Sequence, residues 1–396
     1  MAINIKNIED AIQRKAYTVD SSTSVNDLSD MVEAALLITG GLKEYADSAE
    51  LPTAATSNDK IAFVKDQKAI RFNNGKIWAG TASGEVTTPS PSGSSNPAYV
   101  GTNYGFSMAG GSSPYTQKIE AYSFASDGNS TDVGSFSNPN STAMWSGMGG
   151  GTTTKGYHFG GSPLTPSAAH VYEFTYAAGT PVTTADAGFD ISPAYWRYGH
   201  YEMIGNRTEM YVAGGYRNPA LNTNVILKMP EASPSTTTDV GDLTSARRFG
   251  AGHSSDVSSY ISGGYISADT NIIDKWPMSA DANATDVGDL VQAQRGHGGT
   301  SSSTHGYAAG YVPNNNMIQK FPFASDANAT DVADLNQSIH VQSSTSSDVS
   351  GYSAGGTSGP AAGRNNIQKH PFSADTDATD VGDLTFARQQ NAGTHY

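Results

Sequence analysis

The sequence predicts a mainly β chain whose larger part is a six-bladed β-propeller. Three observations predict it. The composition is rich in glycine and poor in charge, with Gly 43 and 15% charged residues among 396. A unit ending in "TDVGDL" or a close variant recurs at intervals of 45 to 54 residues. Each unit also holds four strand-like pieces, and units of this kind bury their faces by stacking around a ring.

The elements follow in chain order. Residues 1–50 carry the helical signals, "IKNIEDAIQRKAY" and "SVNDLSDMVEAALLI". In the second, Leu28, Met31, Val32, Ala35 and Leu36 share one helical face, Ser24 or Asn26 can cap it and Gly40–Gly41 stop it. A stripe that apolar predicts a covering partner, so this segment is expected to dock or oligomerise. Residues 51–80 change to period two: "IAFVKD", "AIRF" and "KIWAG" read as three strands of a meander, with "NNGK" as a tight turn. Residues 81–97, "TASGEVTTPSPSGSSNP", have tether composition.

Residues 98–396 hold the repeats. The aligned aspartates are Asp132, Asp186, Asp239, Asp286, Asp331 and Asp380. Gly-Gly pairs keep step with them at Gly110, Gly160, Gly214, Gly263 and Gly355, with Ala309–Gly310 in the fifth unit. The fourth unit parses as "RRFGAGHSSD", "SSYISGG", "NIIDKWPMS" and "ATDVGDL". The inner-strand pattern appears once more at the end, as "ARQQNAGTHY", with no second strand after it. The C-terminal strand is therefore expected to join the first blade and close the ring, because an open ring exposes two strand edges. "NPAYVGTN" at 96–103 competes for that place.

An apolar strand ending in Gly-Gly, an alternating third strand and an Arg-bearing stretch such as "ARRFGAGH" resemble Kelch repeats over about three quarters of the chain. Kelch units also carry a Tyr and a Trp after the glycines; here Trp276 occurs in one unit, with Phe323 and Phe372 in the "PF" of others. The wording "NxIxKxPFxxDxxATDVGDL" resembles Gly/Ser-rich repeat proteins of tailed phages, marine and cyanophage types in particular. "ELPTAATSNDKIAFVKDQKAIRFNNGKIWAG" is similar to the small β-module near the start of phage fibre proteins. These resemblances imply a virion protein, assembled in the host cytoplasm, whose residues 1–80 attach to other virion proteins, with a homotrimer favoured.

Several classes are disfavoured by composition. A formal charge of −14 and no basic stripe argue against nucleic acid. Cys 0 removes disulfides, thiolate metal sites and cysteine nucleophiles. No signal peptide or bilayer-length apolar run is visible, so no membrane insertion is expected. Motifs for zinc hydrolysis, serine esterases, Walker loops and dinucleotides are lacking, as are the Cys of copper-radical oxidases and the sialidase box. A non-enzyme with no cofactor and no metal is the expectation.

Three constellations remain. The acidic repeat "DANATDVGDL" can tighten an outer turn, its Asp and Asn accepting backbone N–H groups two residues on, or hold calcium through Asp281, Asn283 and Asp286; the turn is preferred. Arg197, Arg248, Arg295 and Arg388, with His340, read as equivalent residues of the inner strands. They either ring the channel mouth for an anionic sugar or phosphate, or each pairs with a "DVGDL" aspartate and fastens neighbouring blades. Tyr195, Trp196 and Tyr198 in "SPAYWRYGHYEM" form the aromatic cluster expected to stack on a sugar. The expected function is a fibre-type virion protein displaying the propeller for host-glycan binding. The alternatives are a capsid decoration or head fibre without receptor role, a glycan-degrading enzyme using channel carboxylates such as Asp242 or Asp289, and an intracellular Kelch adaptor.

Overall fold

The computed structural model describes residues 101–111, 116–136, 145–152, 154–161, 170–176, 182, 184–191, 204–205, 209–217, 221–230, 237–311, 315–359 and 363–395, and the backbone of four short strands before residue 80. The chain divides into two compact units, Met1–Ser95 and Asn96–Tyr396. In the first, Lys43–Tyr45 runs parallel to Ile61–Val64, which pairs antiparallel with Ala69–Asn73 and through it with Trp78–Ala79. The proposed helix over 24–38 and the tether over 81–97 lie outside the described residues.

The second unit is a six-bladed propeller of four-stranded antiparallel sheets. Blade four shows the pattern: inner strand Ala251–Ser254, second strand Ser258–Ser262, third strand Thr270–Pro277 and outer strand Thr285–Gln294. In blade one the inner strand is Ala392–His395, paired with Tyr104–Met108 in the register Ala392↔Met108 to His395↔Gly105.

Small residues let six inner strands meet around one axis. A side chain on Gly149 would strike the Gly393 carbonyl, one on Gly393 that of Ser344, and one on Gly299 that of Gly252. Second strands such as Ser258–Ser262 are buried along their whole length, because both faces lie against neighbouring blades. Aromatic rings from the third strands lie on glycines of the second: Tyr122 on Gly105, Phe174 on Gly156 and Phe321 on Gly306, where no Cβ would fit.

That column corrects the sequence alignment. Trp276 pairs with Ser259, as Phe321 does with Gly306 and His370 with Gly351, so Trp276 has its counterparts in Phe321 and His370. Phe323 and Phe372 belong to the next aromatic column, two residues on. They stack across blades, Phe323 on Tyr260 at 4.8 Å and Phe372 on Tyr307 at 4.9 Å, as Phe124 does on Tyr352 at 4.7 Å.

The acidic repeat works across the same junctions. Lys275 of blade four reaches Asp326 of blade five at 2.8 Å, Lys320 reaches Asp375 at 2.6 Å, Lys369 reaches Asp127 at 3.0 Å, and Lys228 pairs with Asp281. Two residues further, Asn283, Asn328, Asp377 and Asn129 accept the backbone N–H of Asp242, Asp289, Asp334 and Asp383, each at 3.0 Å. Asp286 and Asp380 do accept the amide of the glycine two residues on, at 3.2 and 3.3 Å. The repeated stretch is thus a turn and a clasp between blades. Among the described residues no group of three or more His, Asp and Glu could hold a metal ion.

Candidate functional site

The Gly-Gly pairs bring two sets of connections onto one face. Gly214 and Gly263 have φ of 64° and 58°, and a side chain there would crowd the carbonyls of Arg247 and Gln294 at 2.7 and 2.6 Å. Gly215 and Gly264 donate to those same carbonyls at 2.7 Å. The loop from second to third strand is thereby held against the segment that crosses from outer strand to next inner strand.

The arginines divide into two positions of that crossing segment. Arg247 and Arg388 share one: each immediately precedes a pair of residues ending in a left-handed one, Phe249 at φ 60° and Gln390 at φ 57°. Both are fully buried, Arg247 at 3.1 Å from Asp274 and Arg388 at 2.7 Å from Glu120. Arg388 also donates to the Ala109 carbonyl at 3.1 Å. Arg248 and Arg295 occupy the next position, with His340 and Gln389 in the corresponding places. The expected equivalence of Arg388 with Arg248 and Arg295 is therefore corrected by one residue, since "ARRF" permits two alignments and burial selects the one that puts Arg247 beside Asp274.

The expected partners are corrected too. Neither Arg388 nor Arg295 pairs with a "DVGDL" aspartate: Arg388 takes Glu120 of a third strand, and Arg295 takes Asp269 of the loop in blade four at 2.9 Å. Arg388 ends an outer strand, and Arg248 and Arg295 lie on the segments that cross from an outer strand to the next inner strand. Asp242 and Asp289 sit in the outer strands Thr238–Asp242 and Thr285–Gln294, which removes them as channel carboxylates. Tyr195, Trp196, Arg197 and Tyr198 lie outside the described residues.

What the structure does bring together on the loop face is a band across blades three to five. The guanidinium of Arg248 lies 4.7 Å from the Tyr216 ring and 4.9 Å from that of Tyr265, and donates to Asn222 at 2.9 Å. Arg295 lies 4.6 Å from the same Tyr265 ring, so two cations share one aromatic. Asp269 takes Arg295 on one oxygen and the Tyr311 hydroxyl, at 2.5 Å, on the other. Burial, and then the bond to Asp269, push the Tyr311 phenol up to about 12. His340 is lowered to about 4, first by burial and then by Arg295, and is neutral at physiological pH. Asn222 ties the loops of blades three and four by donating to the carbonyls of Tyr265 and Ile266 at 3.0 and 2.9 Å. Leu221 and Ile266 stand exposed beside it, at 57% and 39%.

No protein-family model matches the sequence, and no curated protein matches it.

Sequence reasoning missed this band although a signal was present. Tyr216, Tyr265 and Tyr311 each follow the glycine landmark in three successive blades, as "GGY", "GGY" and "AGY". The other blades continue "GGS", "GGS" and "GGT". Residues that recur in every unit serve the ring, whereas a change confined to neighbouring units marks one sector of a face.

Proposed function

We propose that the chain is a fibre-type structural protein of a tailed-phage virion, attached to the particle through residues 1–80 and favouring a trimer, with its Kelch-like propeller turned outward to bind a host-surface glycan without altering it. The observation supporting the binding role is the band of Tyr216, Arg248, Tyr265, Arg295, Asp269 and Tyr311, which breaks the repeat in three adjacent blades. Half-buried rings beside guanidinium, carboxylate and amide groups suit a sugar: its apolar face packs on aromatic surface while hydroxyls meet the polar rim. The fibre role rests on the resemblance of the repeat wording and of residues 50–80 to phage proteins.

Incubating the full-length protein with host cells tests the proposal. Tyr265→Ala is expected to weaken attachment about fivefold, the equivalent of about 1 kcal/mol of ring contact, while the melting temperature stays near that of the parent. Unchanged attachment would remove the site from this face. A wild-type protein that is present in purified particles and yet ignores host cells would leave the decoration role instead.

A further inference from the structure

Among the described residues, every buried or half-buried lysine and arginine of the propeller except Arg248 has a carboxylate within ion-pair distance. The exception lies in a chain of net charge −14, where acidic partners are plentiful. Arg248 is half-buried, and its hydrogen bond among the described residues goes to the neutral Asn222. Its guanidinium is packed by the rings of Tyr216, Tyr265 and Phe249 at 4.7, 4.9 and 5.6 Å. Rings attract the cation through its face but accept none of the in-plane N–H donors that a guanidinium offers. The neighbouring Arg295 has its charge met by Asp269, so of the two guanidiniums that share the Tyr265 ring Arg248 is the one whose charge no described carboxylate meets.

We propose that the saccharide bound at this face is acidic, and that its carboxylate or phosphate group docks on Arg248. A planar guanidinium held by aromatic packing presents paired donors to either oxyanion with little ordering left to do. Asn222 fixes the orientation of that plane through its side-chain oxygen, while its amide nitrogen is committed to the carbonyls of Tyr265 and Ile266. The inference rests on the glycan reading for the sugar, and on Arg248 alone for its charge.

The test uses the full-length protein and four probes at low salt: glucuronate, glucose 6-phosphate, glucose and inorganic phosphate, with binding read by ligand-observed NMR. One or both acidic sugars are expected to bind with a Kd on the order of millimolar and glucose about tenfold or more weakly. Whichever acidic sugar binds names the oxyanion. Arg248→Gln keeps a donor for Asn222 and should abolish the preference for acid over neutral sugar; Arg248→Lys should restore part of it. Raising salt from about 20 mM to about 500 mM should weaken acidic but not neutral binding to the wild type, a readout that stands even where a variant folds poorly. Glucose binding as well as glucuronate and glucose 6-phosphate would overturn the inference and leave the glycan reading intact. Phosphate binding without any sugar would overturn the saccharide assignment, and no binding of any probe would overturn both.

Discussion

A guanidinium with no exposed surface must be matched by its surroundings, and the blades fill the slot that holds it in three ways. Arg388 meets Glu120 and Arg247 meets Asp274, each carboxylate also taking the N–H and hydroxyl of Thr385 or Thr244. In blade five the pair is Gln294 with Gln319 at 2.9 Å, and Gln319 takes the Val291 amide. In blade six Ile339 fills the position and Gln368 takes the Gln337 amide at 3.1 Å. Removing one charge of a buried pair costs about 3–5 kcal/mol, whereas replacing both by a satisfied neutral pair can cost little. Arg388→Gln and Glu120→Gln are each expected to lower stability by about that amount in chemical denaturation, and the double variant, which copies blade five, should recover most of the loss. This slot was hidden in the sequence because the partners lie far apart in the chain and differ from blade to blade. Buried histidines add a pH signature. Burial lowers His158 and His297 to about 3 and His370 to about 4, so all three stay neutral when folded and gain protons when unfolded. Their contribution is fully present above pH 6.5, the ordinary histidine value, and is lost as pH falls towards those lowered values. The slope approaches about 1.4 kcal/mol per pH unit for each histidine. Melting temperatures measured from neutral to acidic pH should fall along this limb, and His158→Leu should make the fall shallower.

Strand order, the glycine landmarks and the acidic turn were legible because each recurs with the unit and obeys local chemistry. Gly288, at φ 155°, and Asp286, which accepts its amide, are set by residues two apart. The clasp was not legible, since Asp281 and Asn283 serve Lys228 and Asp242 of the preceding blade and nothing local announces that partner. Blade six already carries Asp377 where Asn283 and Asn328 stand elsewhere, accepting the Asp334 amide at the same 3.0 Å. Asn283→Asp is therefore expected to leave the melting temperature nearly unchanged, because only the acceptor oxygen is used. Asn283→Ala should cost about 1 kcal/mol by loss of that bond. Equal losses in the two variants would mean that the amide nitrogen contributes as well.

At the scale of the whole molecule, both clasp and strand pairing join blade six to blade one. Phe124 stacks on Tyr352, Lys369 reaches Asp127, and Ala392–His395 lies along Tyr104–Met108. Removing residues 392–396 takes away the inner strand of blade one and exposes its second strand, a template for aggregation. Insoluble protein or a cooperative loss of stability is the expected outcome; a soluble propeller with unaltered melting would mean that the ring closes by other means. The ring was legible from its period, while the binding face depended on where the period fails, at Tyr216, Tyr265 and Tyr311. Hydroxyl-radical footprinting of the full-length protein with host-surface polysaccharide shows whether this sector of one face binds the host glycan. Protection is expected at Tyr216, Tyr265 and Tyr311, with no change at the exposed Val257 and Val349 of the hairpins joining inner to second strands. Protection at Val257 and Val349 with the three tyrosines unprotected would contradict it.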